Sequence, residues 1–394
     1  MTDRITRREL LRRSAIGGAA ISVPSLLAAC GGGGIQSAAQ NSSTGTTETV
    51  QKVLAKTLNF SNWPLYIDVS SDNKTHPSLN QFTKKTGVKV NYIEDINDND
   101  QFFGKIEGPL SHGQSIHRDL IVLTDSSGLP ARMIKLGWLE KLYKPAIPNI
   151  TNLVPAQQHP AWDPNRDFSL PWQSGMTGIG CDPSKTGGPV TSVKQLLTDP
   201  KLKGKVTCLT EFGDTMGLVM AANGDDPSNV TDAAFNRAVA TVKKAVDSGQ
   251  IRQFTGNDYA PLLAKGDIWA AFAWSGDLVQ LQADHPGLQW NLPDTGGMIW
   301  TDNMLIPKGG NVFTASTYMN FAYEPKIAAE IEDWVNYICP VNGAKEVLLK
   351  KDPSIAKNHL IFPTQAMYAN VHQIDPKAVL NQDYKQKFQA LLGA

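Results

Sequence analysis

The order of extended and helical runs after Thr57 constrains this chain most. Thr57–Trp63 reads as a short strand closed off by Pro64. Pro77–Thr86 reads as a helix, with proline in its first turn and Gly87 just past its end. Val88–Ile93 alternates like a strand, a helix over roughly Asn99–Leu110 follows, and Asp119–Thr124 is an apolar run of the buried type. A short helix then ends at Gly137. Strands that alternate with helices build a parallel α/β sheet, and such sheets take ligands at the carboxyl ends of their strands. Trp63 and the pair Thr124-Asp125 stand at those ends.

The same grammar repeats. Phe168–Trp172 leads into an extended Thr177–Cys181, and Lys205–Thr210 and Ile268–Trp274 read as strands. Helices are expected over Met216–Asn223 and Asp232–Asp247, and from Leu278 onward. A second extended passage, Gly296–Pro307, precedes a helical pair (Thr314–Tyr323, Pro325–Ile338), Cys339-Pro340, and helices near Asn342–Lys350 and Gln382–Leu392. About 340 residues exceed one typical domain and suggest two. The expected division is 57–171 with 300–340 in a first lobe, and 172–299 with 341–394 in a second. Two lobes joined by several chain crossings make a hinge and a cleft, and closure around a ligand is an established use of that arrangement.

Within the second passage, Trp300 and Asp302 are two residues apart, so in an extended segment they project from one face. A ring beside a carboxylate suits an organic cation: the ring covers methylenes or draws the charge, and the carboxylate takes N–H donors. Alone, the pair fits a buried tryptophan next to a capping aspartate better than a cation site. The other strand ends shift the balance, because they carry Trp63, Thr124, Glu211 and Trp274. Three tryptophans at polar strand ends exceed what core packing asks for.

The N-terminus is an address. Thr6–Arg12 fits a twin-arginine export signal, and the Gly/Ala-rich run Ser14–Ala29 is too short and too weakly apolar to span a bilayer. Leu27-Ala28-Ala29-Cys30 fits a lipobox, with cleavage before Cys30 and acylation of its sulfur; Gly31–Gly34 rules out a helix running on. Residues 1–29 are therefore read as signal and 30–56 as a lipidated, Ser/Thr/Gly-rich spacer. Without the five arginines and two acids of the signal, the 37 basic and 37 acidic residues become 32 and 35. That mild acidic balance leaves no footprint for nucleic acid.

Of four cysteines, Cys30 goes to the lipid. Cys181 and Cys208 could pair in an oxidising compartment, which leaves Cys339 odd. No pair has CxxC spacing, so no metal or redox cofactor is expected. The chain also lacks HExxH, a P-loop, a dinucleotide glycine fingerprint and a GxSxG elbow, and its seven histidines are scattered. A binder is expected rather than an enzyme. An anionic ligand would call for basic groups at the strand ends, which are acidic and aromatic instead.

Phe60–Trp63, Phe82–Val90, Asp119–Val122, Thr177–Gly180 and Trp300–Pro307, in this order and spacing, resemble the polyamine (spermidine/putrescine) substrate-binding proteins of ABC importers. The resemblance implies a type II periplasmic-binding-protein fold: two α/β lobes, a ligand cleft and a three-segment hinge. It also implies a monomer that hands a polyamine to a permease, held by the lipid on the outer face of the cytoplasmic membrane or free in the periplasm. Carried over residue by residue, Trp63, Tyr66, Thr124, Trp274, Trp300, Asp302 and Tyr337 become ligand contacts. Two departures stand out. Glu211 and Asp214 are the acids after the strand ending Leu209-Thr210 but sit one position early. Asp125-Ser126-Ser127-Gly128 replaces a stretch that usually brings an aromatic, so Asp125 competes with Glu211 and Asp214 for the far end of the ligand. A different small organic cation, or another solute, is the alternative. The inserts Asp68–Lys74 and Asp225–Asn229 have no assigned role.

Overall fold

The computed structural model describes residues 50–72 and 74–393. The twin-arginine and lipobox segment, Cys30 and most of the spacer lie outside the described residues. The first half runs β1 (Thr57–Asn62), α1 (Pro77–Thr86), β2 (Lys89–Glu94), α2 (Asn99–Ser111), β3 (Leu120–Thr124) and α3 (Leu129–Leu136). The second runs β4 (Ser169–Cys181), α4 (Val193–Thr198), β5 (Val206–Leu209), α5 (Phe212–Ala222), α6 (Asp232–Asp247), β6 (Ile251–Thr255), α7 (Tyr259–Lys265), β7 (Ala270–Trp274), α8 (Ser275–Asp284) and β8 (Gln289–Asn291). The chain returns through β9 (Gly297–Leu305), α9 (Val312–Ala322), α10 (Pro325–Val335) and α11 (Ala344–Lys351), then closes with β10 (Val371–His372) and α12 (Gln382–Leu392).

The strands form one sheet in the order β2-β1-β3-β9-β4-β7-β5-β6. β1 pairs in parallel with β2 and β3, and β5 in parallel with β6 and β7. β4 and β9 run antiparallel between these two blocks, from Ser169↔Leu305 to Thr177↔Met298. They pass from one hydrophobic core to the other: Leu170 and Met304 pack in the first lobe, Ile179 and Met298 in the second. β3 shows why the parallel strands read as continuous apolar runs. Leu120 and Val122 enter the core under α1 and α9, while Ile121 and Leu123 enter the one under α2 and α3, so both faces are covered. Phe60, fully buried on β1, meets Tyr92, Trp172 and Tyr318 edge-on at 5.3–5.8 Å. Cutting it to alanine should cost about 3–5 kcal/mol.

Four sequence expectations need correction. Phe168–Trp172 and Thr177–Cys181 are one continuous strand, β4. α5 starts at Phe212, so Gly213 and Asp214 lie in its first turn rather than in a loop. Residues past 340 do not pass straight to the second lobe: Ala344, Leu348 and Ala356 pack in the first-lobe core, and only from Ile374 does the chain join the second. The third crossing therefore lies between Ala356 and Ile374, whereas Ile338 turns alongside Ser174 of β4. Finally, Cys181 and Cys208 are both free and buried, as is Cys339. Cys181 on β4 and Cys208 on β5 are separated by β7, which pairs with both strands. Two strand spacings are about 9.5 Å, beyond the reach of a disulfide.

Candidate ligand-binding cleft

The carboxyl ends of the parallel strands, the crossing strand β9 and the turn after α10 surround about 520 Å³ of open space. Trp63, Tyr66, Thr124, Glu211, Asp214, Trp274, Trp300, Asp302 and Tyr337 all line it. Asp302 sits on β9 directly opposite Thr124 of β3. Its Oδ1 accepts from Thr124 Oγ1 at 2.6 Å and its Oδ2 from the Tyr66 hydroxyl at 2.7 Å. Tyr66 is aimed inward by a turn in which Leu65 takes a left-handed backbone, φ 58°, uncommon for a leucine. That turn is held by Leu65 N donating to Glu94 Oε1 at 2.8 Å and by Trp172 Nε1 donating to the Tyr66 carbonyl at 3.1 Å. Asp302 is only 4% exposed. Burial pushes its pKa up to about 7, with Asp125 and Asp214 adding to the rise and the two hydroxyl donors opposing it.

A second buried carboxylate anchors the tryptophans. Asp214 accepts from Trp274 Nε1 at 2.8 Å and from Thr177 Oγ1 at 2.7 Å, while Thr177 Oγ1 accepts from Trp300 Nε1 at 3.0 Å. Both indole N–H groups thus end, directly or through Thr177, on one acid. Burial raises Asp214 to about 6 against the pull of these donors. Glu211, the residue before α5, is half-buried. Its pKa stands well above the ordinary value, first through burial and then through repulsion from Asp98 and Asp214.

The rings form a continuous wall. Tyr66 meets Tyr337 edge-on at 5.4 Å, Tyr337 tilts against Trp300 at 5.7 Å, and Trp300 meets Trp274 at 6.3 Å. Two glycines make room for it. A Cβ on Gly175 would lie 2.3 Å from Trp300 Cζ2, and one on Gly276 would lie 2.4 Å from Tyr337 Cδ2. The Tyr337 hydroxyl crosses to the second lobe and donates to Asp277 Oδ1 at 2.8 Å, and Tyr259 donates to Asp277 Oδ2 at 2.9 Å. The lobes also meet where Asn99 Nδ2 reaches Glu211 Oε1 at 3.4 Å and where Lys385 pairs with Asp100 at 2.9 Å. The cleft is shut.

No basic side chain lines this space among the described residues; Lys385 stands in the wider groove outside it. Three carboxylates facing aromatic rings without a counter-charge make a site for a cation with apolar stretches. No group of His, Cys, Asp and Glu among the described residues could hold a metal ion.

Asp125 departs from expectation. It does not line the space, because a 3₁₀ turn over Asp125–Ser127 swings its carboxylate back to accept from Thr301 N at 2.9 Å. It braces the strand that carries Asp302. Conversely, Asn99, Ser126 and Asn257 line the cleft and Asp277 stands behind Tyr337, and none of them was singled out from sequence. Asn99 and Asp277 lie in the first turns of α2 and α8, where polar residues read as ordinary capping; the signal available was their place just after or just opposite a strand end.

A family model for the bacterial extracellular solute-binding proteins matches residues 78–363. The chain belongs to that family. This solute-binding protein is 26% identical over 345 residues to the spermidine/putrescine-binding periplasmic protein of Escherichia coli K12, covering 85% of this chain and 92% of the relative. It is 28% identical to the putrescine-binding periplasmic protein of Pseudomonas aeruginosa, covering 80% and 86%. Its fold matches a solved lipoprotein of Treponema pallidum with a TM-score of 0.72 at 20% identity, over 86% of this chain and all of the other. The two-lobe periplasmic-binding fold is therefore the fold of this chain.

Proposed function

We propose that this solute-binding protein captures a polyamine of the putrescine–spermidine class by cleft closure and delivers it to the permease of an ABC importer. One observation carries the reading: Asp302, Asp214 and Glu211 converge with Trp274, Trp300 and Tyr337 on a space that no basic side chain lines. The ammonium groups of such a ligand supply the missing positive charge, and its methylenes lie against the rings. The names of the relatives support the same ligand class. The Cys30 lipobox and twin-arginine motif support export and lipid anchoring at the cell envelope.

Calorimetry against putrescine, spermidine, spermine, agmatine, choline and amino acids tests this. Preferential binding to the folded state should also raise the melting temperature. Absence of heat and of any thermal shift with every di- and polyamine at millimolar concentration would remove the assignment.

A further inference from the structure

Asn99, the first residue of α2, is 2% exposed and spends its whole amide inside the cleft. Its Oδ1 accepts from Thr124 N at 3.1 Å, and its Nδ2 donates to Thr124 Oγ1 at 2.9 Å. Thr124 in turn donates a hydrogen bond from its hydroxyl to Asp302 Oδ1. The same Nδ2 reaches Glu211 Oε1, on the other lobe, at 3.4 Å. An amide nitrogen carries two N–H donors, and here one serves the first lobe while the other spans the gap. The bonds to Thr124 stay within the first lobe and survive opening. The bond to Glu211 exists only while the lobes are together.

We propose that Asn99 is a positioning residue that couples closure of the cleft to the charge on Glu211, so that the carboxylates of the two lobes act on one ligand as a single site. The inference rests on the organic-cation reading above. On closure, Glu211 comes up against the first turn of α2, where Asp98 and Asp100 face it, while Asp214 faces it from its own helix. Asp258 and Lys385 line the same groove, with Lys385 already paired to Asp100. Burial and three like charges favour the neutral acid, and the one amide donor from the opposite lobe favours the carboxylate. Without that donor nothing from the first lobe opposes the rise, and Glu211 holds its proton more firmly as it closes over the ligand. With it, the rise is opposed without being cancelled, and Glu211 ionises beside an arriving ammonium more readily than burial alone would allow.

The test is calorimetric titration of the full chain with putrescine and spermidine from pH 5 to 8.5. Wild type is compared with Asn99→Ala, Asn99→Asp, Glu211→Gln and the double variant N99A/E211Q. N99A should weaken binding about tenfold near neutral pH and move the acid-side loss of affinity to higher pH. Asn99→Asp adds one more acid beside Glu211 and should move it further. In the E211Q background, N99A should cost less than about threefold, the mark of residues that act through each other. Melting of the ligand-free variants separates lost folding from lost coupling, and N99D holds the Thr124 N–H even if N99A does not. Unchanged pH profiles in N99A and N99D overturn the proposal, as does an N99A penalty that is equal in the wild-type and E211Q backgrounds. A wild type that binds no amine removes the cation reading and this inference together. A wild type that binds while N99A is indifferent removes this inference alone.

Discussion

Asp302→Asn makes two opposite predictions from one carboxylate. With its pKa near 7 against an ordinary 3.8, Asp302 keeps its proton in the folded chain over a range in which the unfolded chain has lost it. The folded state then binds more protons, so stability falls as pH rises from about 3.8 to 7. The full gap corresponds to about 4 kcal/mol above pH 7. Asparagine has nothing to ionise: its Oδ1 still accepts from one of the two hydroxyls, and the other, of Tyr66 or Thr124, turns to accept from its Nδ2. The ligand-free D302N chain should therefore melt about 5 °C above wild type at pH 8, with the advantage gone by pH 4. Affinity should move the other way. An ammonium left in a buried site without its counter-charge costs about 3 kcal/mol or more, at least a hundredfold in Kd. Scanning calorimetry at pH 4 and pH 8, with amine titrations at pH 8, reads both. A D302N chain that melts no higher than wild type at pH 8 would refute the burial argument, and unchanged affinity would take Asp302 out of the site.

Binding itself should weaken on acidification. Asp302 near 7 and Asp214 near 6 must each release a proton before meeting an ammonium. Kd should then rise up to tenfold per pH step for each protonated acid, and calorimetry in buffers of different ionisation enthalpy should detect protons released at pH 6. Trp274→Phe keeps a ring but removes the N–H donated to Asp214; it should push Asp214 further toward its neutral form and weaken binding about three- to tenfold at pH 6.5, with a smaller loss at pH 8. Lys385→Ala cuts the exposed bridge to Asp100 across the groove. It should change Kd by less than about threefold, while the ligand-free chain shows a larger radius of gyration by solution scattering.

Much of the cleft was legible because the parallel strands advertise where they end. Trp63, Thr124 and Trp274 follow apolar runs, and the end of a buried strand can face only the cleft or a loop. Trp300 and Asp302 were legible through the two-residue period of an extended segment. Asp125 was misread because sequence gives its position after β3 but not the tight turn that points its side chain back to Thr301 N. α5 was expected to begin four residues late because Phe212-Gly213-Asp214 looks like a loop; burial of the whole turn outweighs the weak helix propensity of glycine there. The lobe boundary failed for a related reason. The pattern of Ala344–Lys351 says that the helix has an apolar face, but not that α10 covers it. Asn99 left no trace, since an asparagine among Asp98 and Asp100 reads as helix capping until the other lobe is placed against it.

The bulge in the crossing ribbon has a consequence for the order of events. Register between β4 and β9 slips between Pro171 and Gln173, opposite Asn303 and Asp302, and a bulge is where a strand pair bends and twists most readily. The axle of the molecule therefore passes beside the buried carboxylate of Asp302. When the jaws part, Glu211 and Asp214 swing away with the second lobe, while Asp302 stays at the pivot with Tyr66 and Thr124 still bonded to it. An arriving cation meets a fixed first mooring at the back of an open mouth, and the swinging acids close on an ion that is already held.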